Sequence, residues 1–232
     1  MRKICFTTTS VGRFDIMDVC YASFVKNLEG VDYKKSTLFL NLDHYDKFGD
    51  VDNSIKVAKK YFGEVVYNIS EKPNFAKAVK WCWSHNFDTR YVFHLEDDWD
   101  LVHNVKVETL VSIMESKERM FNVRLRHRGR LLEGKCRWML LAPSLFKKEF
   151  LKIGSMISSD RNPEHSIKSP KEKSRKKMDE YLNVNKCFSY TYTNDEMKKG
   201  EKASRSCQDL GDPWKIKNSV SFNGKLHFKC GK

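Results

Sequence analysis

The sequence predicts an α/β fold, a mixed and mostly parallel sheet flanked by helices, with a small extension at its C-terminal end. Three observations carry this expectation. Short apolar runs alternate with segments of helical spacing through the first hundred residues. Three of the runs end abruptly in polar groups, as buried strands do where they surface at the edge of a sheet. A hydrophobic content of 40% in 232 residues is enough for one core without disulfides.

Residues 3–9 read as the first strand, Ile4-Cys5-Phe6 giving way to a hydroxyl-rich turn, Thr7-Thr8-Thr9-Ser10, with Gly12 and Arg13 behind it. Asp15 or a neighbour caps a helix to about residue 28, on which Ile16, Val19, Cys20, Phe24 and Leu28 recur near helical spacing until Gly30. Residues 36–42 form the second strand, followed at once by Asp43, His44, Tyr45 and Asp46. A helix over 51–62 stops at Gly63, and residues 64–69 give a third strand. A third helix starts near Pro73 and carries Phe75, Ala78, Val79 and Trp81-Cys82.

The fourth strand, Tyr91-Val92-Phe93, drives straight into Glu96-Asp97-Asp98 and Asp100. On an extended chain Glu96, Asp98 and Asp100 share one side and Asp97 takes the other. Such a cluster is either a solvated acidic turn or a set of oxygen ligands for a hard cation, magnesium or manganese, that leaves positions for substrate phosphates. Ligands of parallel sheets bind beyond the carboxyl ends of the strands. Residues 7–10, Asp43 and the acids all fall there.

A helix follows over 104–118, then a strand over 121–130 whose alternate positions Arg124, Arg126, Arg128 and Arg130 make one face basic. Residues 135–141 read as a strand, and Pro143 opens a helix to residue 151. From 154 to 177 Ser, Pro, Lys and Glu dominate, which predicts a loop ordered on binding and a basic helix over 171–182. The tail runs through Asp209-Leu210-Gly211-Asp212-Pro213-Trp214-Lys215 to a hairpin over 220–228 centred on Asn223-Gly224. Residues 1–150 are thus expected to form the core, with 151–232 packed on it.

No apolar run approaches the roughly 18 residues needed to span a bilayer. The run behind Met1-Arg2-Lys3 breaks at Thr7 before it could act as a signal peptide, so the expected location is the cytoplasm. Seven cysteines without tight metal spacing read as reduced core thiols. The formal net charge of +13 favours polyanionic partners such as nucleic acid, anionic lipid or nucleotides.

The first hundred residues together with Leu95-Glu96-Asp97-Asp98-Trp99 resemble glycosyltransferases of the GT-A fold, family-2-like in the order of elements. That resemblance implies a nucleotide-sugar donor, most simply a uridine diphosphate sugar, held through Mn2+ or Mg2+. It implies Asp98 at the metal, Glu96 or Asp97 at the ribose, and Thr7, Thr8, Thr9, Ser10, Arg13 and Asp43 around the nucleoside. Ala142-Pro143-Ser144-Leu145-Phe146 resembles the segment beside the acceptor site. Asp209-Leu210-Gly211 with Trp214 is similar to a C-terminal motif that often places a histidine on metal or diphosphate, and here Asp209 stands instead.

An inverting transfer needs a carboxylate to take the acceptor's proton. Glu164 is the first candidate and Asp160 the second. Small GT-A enzymes of strong positive charge resemble bacteriophage enzymes that glycosylate hydroxymethylated pyrimidines in DNA, which would place the protein in the host cytoplasm. Arg124, Arg126, Arg128, Arg130, Lys171, Lys173, Arg175 and Lys176 would then contact phosphates. The other readings are a glycan acceptor at an anionic membrane, a nucleic-acid-binding α/β protein without chemistry, and a metal-dependent nuclease.

Overall fold

A computed structural model describes residues 1–43, 49–125, 134–135, 141–156, 163, 188–192, 207–210, 220–222 and 226–228. Its elements begin β1 (Cys5–Ser10), α1 (Phe14–Asn27), β2 (Leu28–Glu29), β3 (Thr37–Asp43), α2 (Val51–Tyr61), β4 (Glu64–Ser70) and α3 (Phe75–Trp83). They continue with β5 (Tyr91–His94), β6 (Trp99–Leu101), β7 (Val105–Lys106), α4 (Val107–Glu115), β8 (Met120–Leu125), β9 (Gly134–Lys135) and β10 (Ser144–Lys147). A 3-10 helix over Lys148–Met156 precedes β11 (Phe188–Tyr192), β12 (Cys207–Asp209), β13 (Val220–Phe222) and β14 (Leu226–Phe228).

Eight strands form one sheet in the order β4-β3-β1-β5-β10-β8-β11-β9. β4, β3, β1 and β5 are mutually parallel, whereas β10 runs antiparallel between β5 and β8. The chain therefore builds outward from β1 to β4 and returns to β1's other side as β5. The crevice between the ends of β1 and β5 is the switch point at which such sheets bind ligands.

Side-chain alternation divides the core into two layers. Phe6, Leu38, Leu40 and Phe93 point toward α1, α2 and α4, where Phe6 meets Tyr33, Phe62 and Phe93 at ring separations of 5.1–5.7 Å. Cys5, Val92 and Phe146 point the other way, against Val79, Cys82 and Trp83 of α3 and against Phe150. The helices start where their caps say. Asp50 accepts the Asn53 N–H at 2.9 Å ahead of α2, and Asn74 accepts the Lys77 N–H at 3.0 Å ahead of α3. α1 has no side-chain cap; Arg13 holds the cap position and Asp15 lies in the first turn.

Three expectations are corrected. Pro143 opens a strand and not a helix. Leu145 belongs to one core layer and the adjacent Phe146 to the other, and only a strand between β5 and β8 turns consecutive apolar side chains to opposite faces. The helix resumes beyond it as the 3-10 turn. The hydroxyl-rich segment Thr7–Ser10 is the buried last part of β1, paired with β3 throughout and with β5 at Thr7, where β-branched residues sit well, and the turn comes at residues 11–12. The helix expected over 104–118 is confined to Val107–Glu115.

The terminal hairpin is present as β13 against β14, with Val220 opposite Phe228. The basic helix expected over 171–182 and the strand beyond residues 134–135 lie outside the described residues. Cys5, Cys20 and Cys82 are free and buried, as expected of core thiols. No described helix is long and apolar enough to cross a membrane.

Candidate active site at the end of the fifth strand

β5 ends at His94, and the Leu95 N–H still donates to the Thr7 carbonyl at 2.9 Å. The chain then turns at Asp97-Asp98 and runs back as β6. Asp97 and Asp98 thus occupy the turn, with Glu96 just before it and Asp100 in β6. Burial still alternates as expected, with Asp97 enclosed and Glu96, Asp98 and Asp100 half-buried. β12 closes the far side of this turn: Asp209 pairs with Trp99, and the Leu210 N–H donates to the Asp98 carbonyl at 2.7 Å. A tail segment more than a hundred residues away in sequence is thereby anchored beside the acids.

Asp97 is saturated. Ser10 Oγ donates to its Oδ2 at 2.5 Å, and Arg13 Nη2 donates to its Oδ1 at 2.5 Å. The same Nη2 donates to Asp98 Oδ2 at 3.0 Å. The Arg13 and Asp97 side chains are 6% and 3% exposed, whereas that of Asp98 is 18% exposed. Burial pulls the guanidinium pKa down, but the charges and hydrogen bonds of Asp97 and Asp98 outweigh it and raise the pKa above its ordinary value.

The loop that delivers Arg13 is fixed by its neighbours. Gly12 takes a φ of +82°, its N–H donates to Ser10 Oγ at 3.0 Å, and its carbonyl accepts the Asp50 N–H at 2.9 Å. A side chain there would meet Gly49 Cα at 2.9 Å, so glycine is required both by conformation and by space.

Asp43 stands at the end of β3, along the same edge. Its Oδ1 accepts from Asn41 Nδ2 at 3.0 Å and its Oδ2 from the Asn74 N–H at 2.9 Å. Asn68 Nδ2 in turn donates to Asn41 Oδ1 at 2.7 Å. This polar ladder fixes the carboxylate as an acceptor beside Thr9 and Ser10. Glu96 Oε2 accepts from the Trp99 indole N–H at 3.2 Å.

On the α3 side of the sheet lies a polar contact that the sequence did not suggest. His94 is fully buried, and both the Thr7 hydroxyl at 2.9 Å and the Trp83 indole N–H at 3.3 Å meet its Nδ1. Because the indole can only donate, Nδ1 is assigned as the acceptor and the proton to Nε2, which is buried with no hydrogen-bond partner among the described residues. Burial lowers the imidazole pKa to about 3. His94 is neutral, and Thr7 is engaged in holding it.

Ser10, Arg13, Asp97 and Asp98 therefore come together in contact, with Glu96 on the same turn, Thr9 and Asp43 along the same edge and Asp209 paired beside it. Thr7 and Thr8 are fully buried inside the sheet. Arg124 lies half-buried on β8. Glu164, Asp160, Arg126, Arg128, Arg130, Lys171, Lys173, Arg175 and Lys176 lie outside the described residues. Among the described residues no three His, Cys, Asp or Glu side chains converge as a ready-made metal site. Asp98 is the part-exposed carboxylate of the set, and its Oδ2 already accepts from Arg13, so any hard cation held here would need most of its oxygen ligands from a bound molecule.

No protein-family model and no curated protein matches the sequence. Solved structures do. A mannosyltransferase from Pyrobaculum calidifontis, in complex with GDP-Man and Mn2+, superposes with a TM-score of 0.57 at 9% identity over 86% of this chain and 59% of that one. TarS residues 1–349 from S. aureus give a TM-score of 0.53 at 9% identity, over 84% of this chain and 59% of that one. The same TarS region in complex with UDP gives 0.53 at 8%, over 83% and 61%. The chain spans about three fifths of each of these solved chains. At such identity the likeness is one of fold, and the fold is of GT-A type.

Proposed function

We propose that this chain is a glycosyltransferase that moves a sugar from a nucleoside diphosphate donor to a hydroxyl of a polyanionic acceptor, the first choice being a hydroxymethylated pyrimidine in phage DNA. One observation carries the donor half: the acid turn sits at the switch point of a GT-A-type sheet, with Asp98 18% exposed and Asp97 enclosed at 3%. The fold is shared with a protein solved with UDP and another solved with GDP-Man and Mn2+, which supports the same donor class.

In this reading Asp98 holds the cation, Mn2+ or Mg2+, with Asp209 beside it. When bound, the cation offsets charge growing on the departing diphosphate. Asp97 is enclosed, so Glu96 is the acid that meets the ribose. Asp43, Thr9 and Ser10 face the nucleoside, and Arg13 acts through the acids. Glu164, or Asp160 in its place, takes the acceptor's proton as the new glycosidic bond forms.

The acceptor half rests on charge. Residues 1–125 contain 18 Lys or Arg and 18 Asp or Glu, while residues 126–232 contain 25 and 12, so the whole net +13 falls in the second part. A neutral donor-binding part joined to a strongly basic one suits a small nucleotide on one side and a polyanion on the other.

Incubation with a panel of uridine and guanosine diphosphate sugars, Mn2+ and hydroxymethylated duplex DNA is expected to raise the DNA mass by one sugar per modified base. Transfer to a glycan acceptor alone would overturn the DNA reading and keep the donor reading. DNA binding with no sugar transfer from any donor to either acceptor would favour a binding protein without chemistry.

A further inference from the structure

The acid turn carries a cation of the protein's own. Arg13 Nη2 lies 2.5 Å from Asp97 Oδ1 and 3.0 Å from Asp98 Oδ2, so one guanidinium nitrogen bridges both carboxylates. It is not a surface side chain that happens to rest there. Its side chain is 6% exposed, its carbonyl accepts the Met17 N–H at 2.9 Å in the first turn of α1, and the preceding Gly12 is clamped by Asp50. The charge is therefore fixed in place and poorly screened, which makes it effective at the neighbouring Asp98.

Two adjacent carboxylates would by themselves form an attractive seat for a divalent cation. Here Asp97 is turned inward with both oxygens engaged, and Arg13 cancels one of the two negative charges. Asp98 is the more exposed of the two acids, at 18% against 3%, and the formal charges of Arg13, Asp97 and Asp98 sum to −1. A hard dication needs about six oxygens and several negative charges, and a nucleoside diphosphate supplies both.

We infer that Arg13 is the built-in counter-ion of the acid pair, which holds the nucleotide-free protein's affinity for divalent cations low, so that metal is taken up together with the donor's diphosphate. Arg13 is thus a positioning residue that acts through Asp97 and Asp98. The inference rests on the nucleotide-sugar reading for its biological sense, but its central quantity, metal affinity without nucleotide, can be measured independently of that reading.

The test is Mn2+ binding to the full chain by titration calorimetry, first alone and then with UDP or GDP. The wild type is expected to bind Mn2+ weakly alone and at least about tenfold more tightly with a nucleotide. Arg13→Gln is expected to bind Mn2+ alone at least about tenfold more tightly than wild type, because a fixed positive charge a few ångströms away is gone. Arg13→Lys keeps the charge and is expected to stay near wild type. Equal Mn2+ affinity in Arg13→Gln and wild type, including no binding by either, would overturn the inference.

Should Arg13→Gln fail to fold, Asp97→Asn decides the matter. It preserves shape and leaves Arg13 facing Asp98 alone, so Mn2+ affinity in the presence of nucleotide is expected to fall about tenfold, although Asp97 is not a reachable ligand. An unchanged affinity there counts against the inference. A wild type that gains nothing from any nucleotide, beside an Arg13→Gln that gains metal affinity, would sink the nucleotide-sugar reading and leave the counter-ion role standing.

Discussion

Lowering the pH from 7 to 5 is expected to weaken the fold by about 2 kcal/mol through His94 alone. The imidazole is fully buried, and Thr7 and Trp83 both direct hydrogens at Nδ1, the atom a second proton would need. Its pKa falls from the ordinary 6.5 to about 3. The sign follows directly. Between these two values the unfolded chain binds the proton and the folded chain does not, so the stabilisation is fully present above about pH 6.5 and is lost as pH falls toward 3. From pH 7 to 5 the unfolded histidine goes from about a quarter protonated to almost fully protonated, which gives the figure of about 2 kcal/mol.

The assay is urea unfolding at both pH values, for wild type and for His94→Gln, whose amide oxygen can still accept from Trp83 and Thr7 but does not titrate. With a urea dependence of about 3 kcal/mol per molar for a chain of this size, the wild-type midpoint should drop by about 0.6 M more than that of the variant. His85, whose pKa burial also lowers, contributes equally to both proteins and cancels. An identical loss of stability in the two proteins would refute the placement of His94 as a buried neutral group.

Two further outcomes test the frame around the site. Gly63→Ala should destabilise the fold by about 2 kcal/mol or more, because a Cβ there would fall 1.9 Å from the Lys34 carbonyl oxygen and backbone must move; thermal unfolding reads this as a lowered midpoint. Asp50→Ala removes the cap of α2, including the 2.9 Å bond from the Asn53 N–H, and should cost about 1 kcal/mol in the same measurement.

The parallel half of the fold was legible in the sequence because its strands are short runs ended by polar groups and its helices show their own period, with side-chain caps ahead of α2 and α3. The fourth-strand acids were legible as a site for the same reason: a buried strand that stops at Glu96-Asp97-Asp98 has to stop at the sheet edge. What sequence could not give were contacts between distant positions. Nothing in the pattern pairs Arg13 with Asp97 or seats Thr7 on His94, since both depend on β1 lying beside β5. A histidine two residues before an acid cluster was the available signal, and it says nothing about burial. Pro143 misled for a local reason: proline starts helices readily, whereas Ser144–Lys147 is held as a strand by β5 and β8 on either side. The run of acids likewise looks extended in sequence, but the return of β6 against Cys207–Asp209 forces a turn at Asp97-Asp98.

Asp98, in the turn that follows β5, is proposed to hold a nucleoside diphosphate through a divalent cation. Calorimetric titration of UDP and GDP in the presence and absence of Mn2+, on wild type and on Asp98→Asn, tests it most directly. The account predicts Mn2+-dependent binding of at least one of the two by the wild type, and loss of that dependence in Asp98→Asn with the unfolding midpoint little changed. Wild-type binding that ignores Mn2+, or an Asp98→Asn variant that binds as the wild type does, would contradict it.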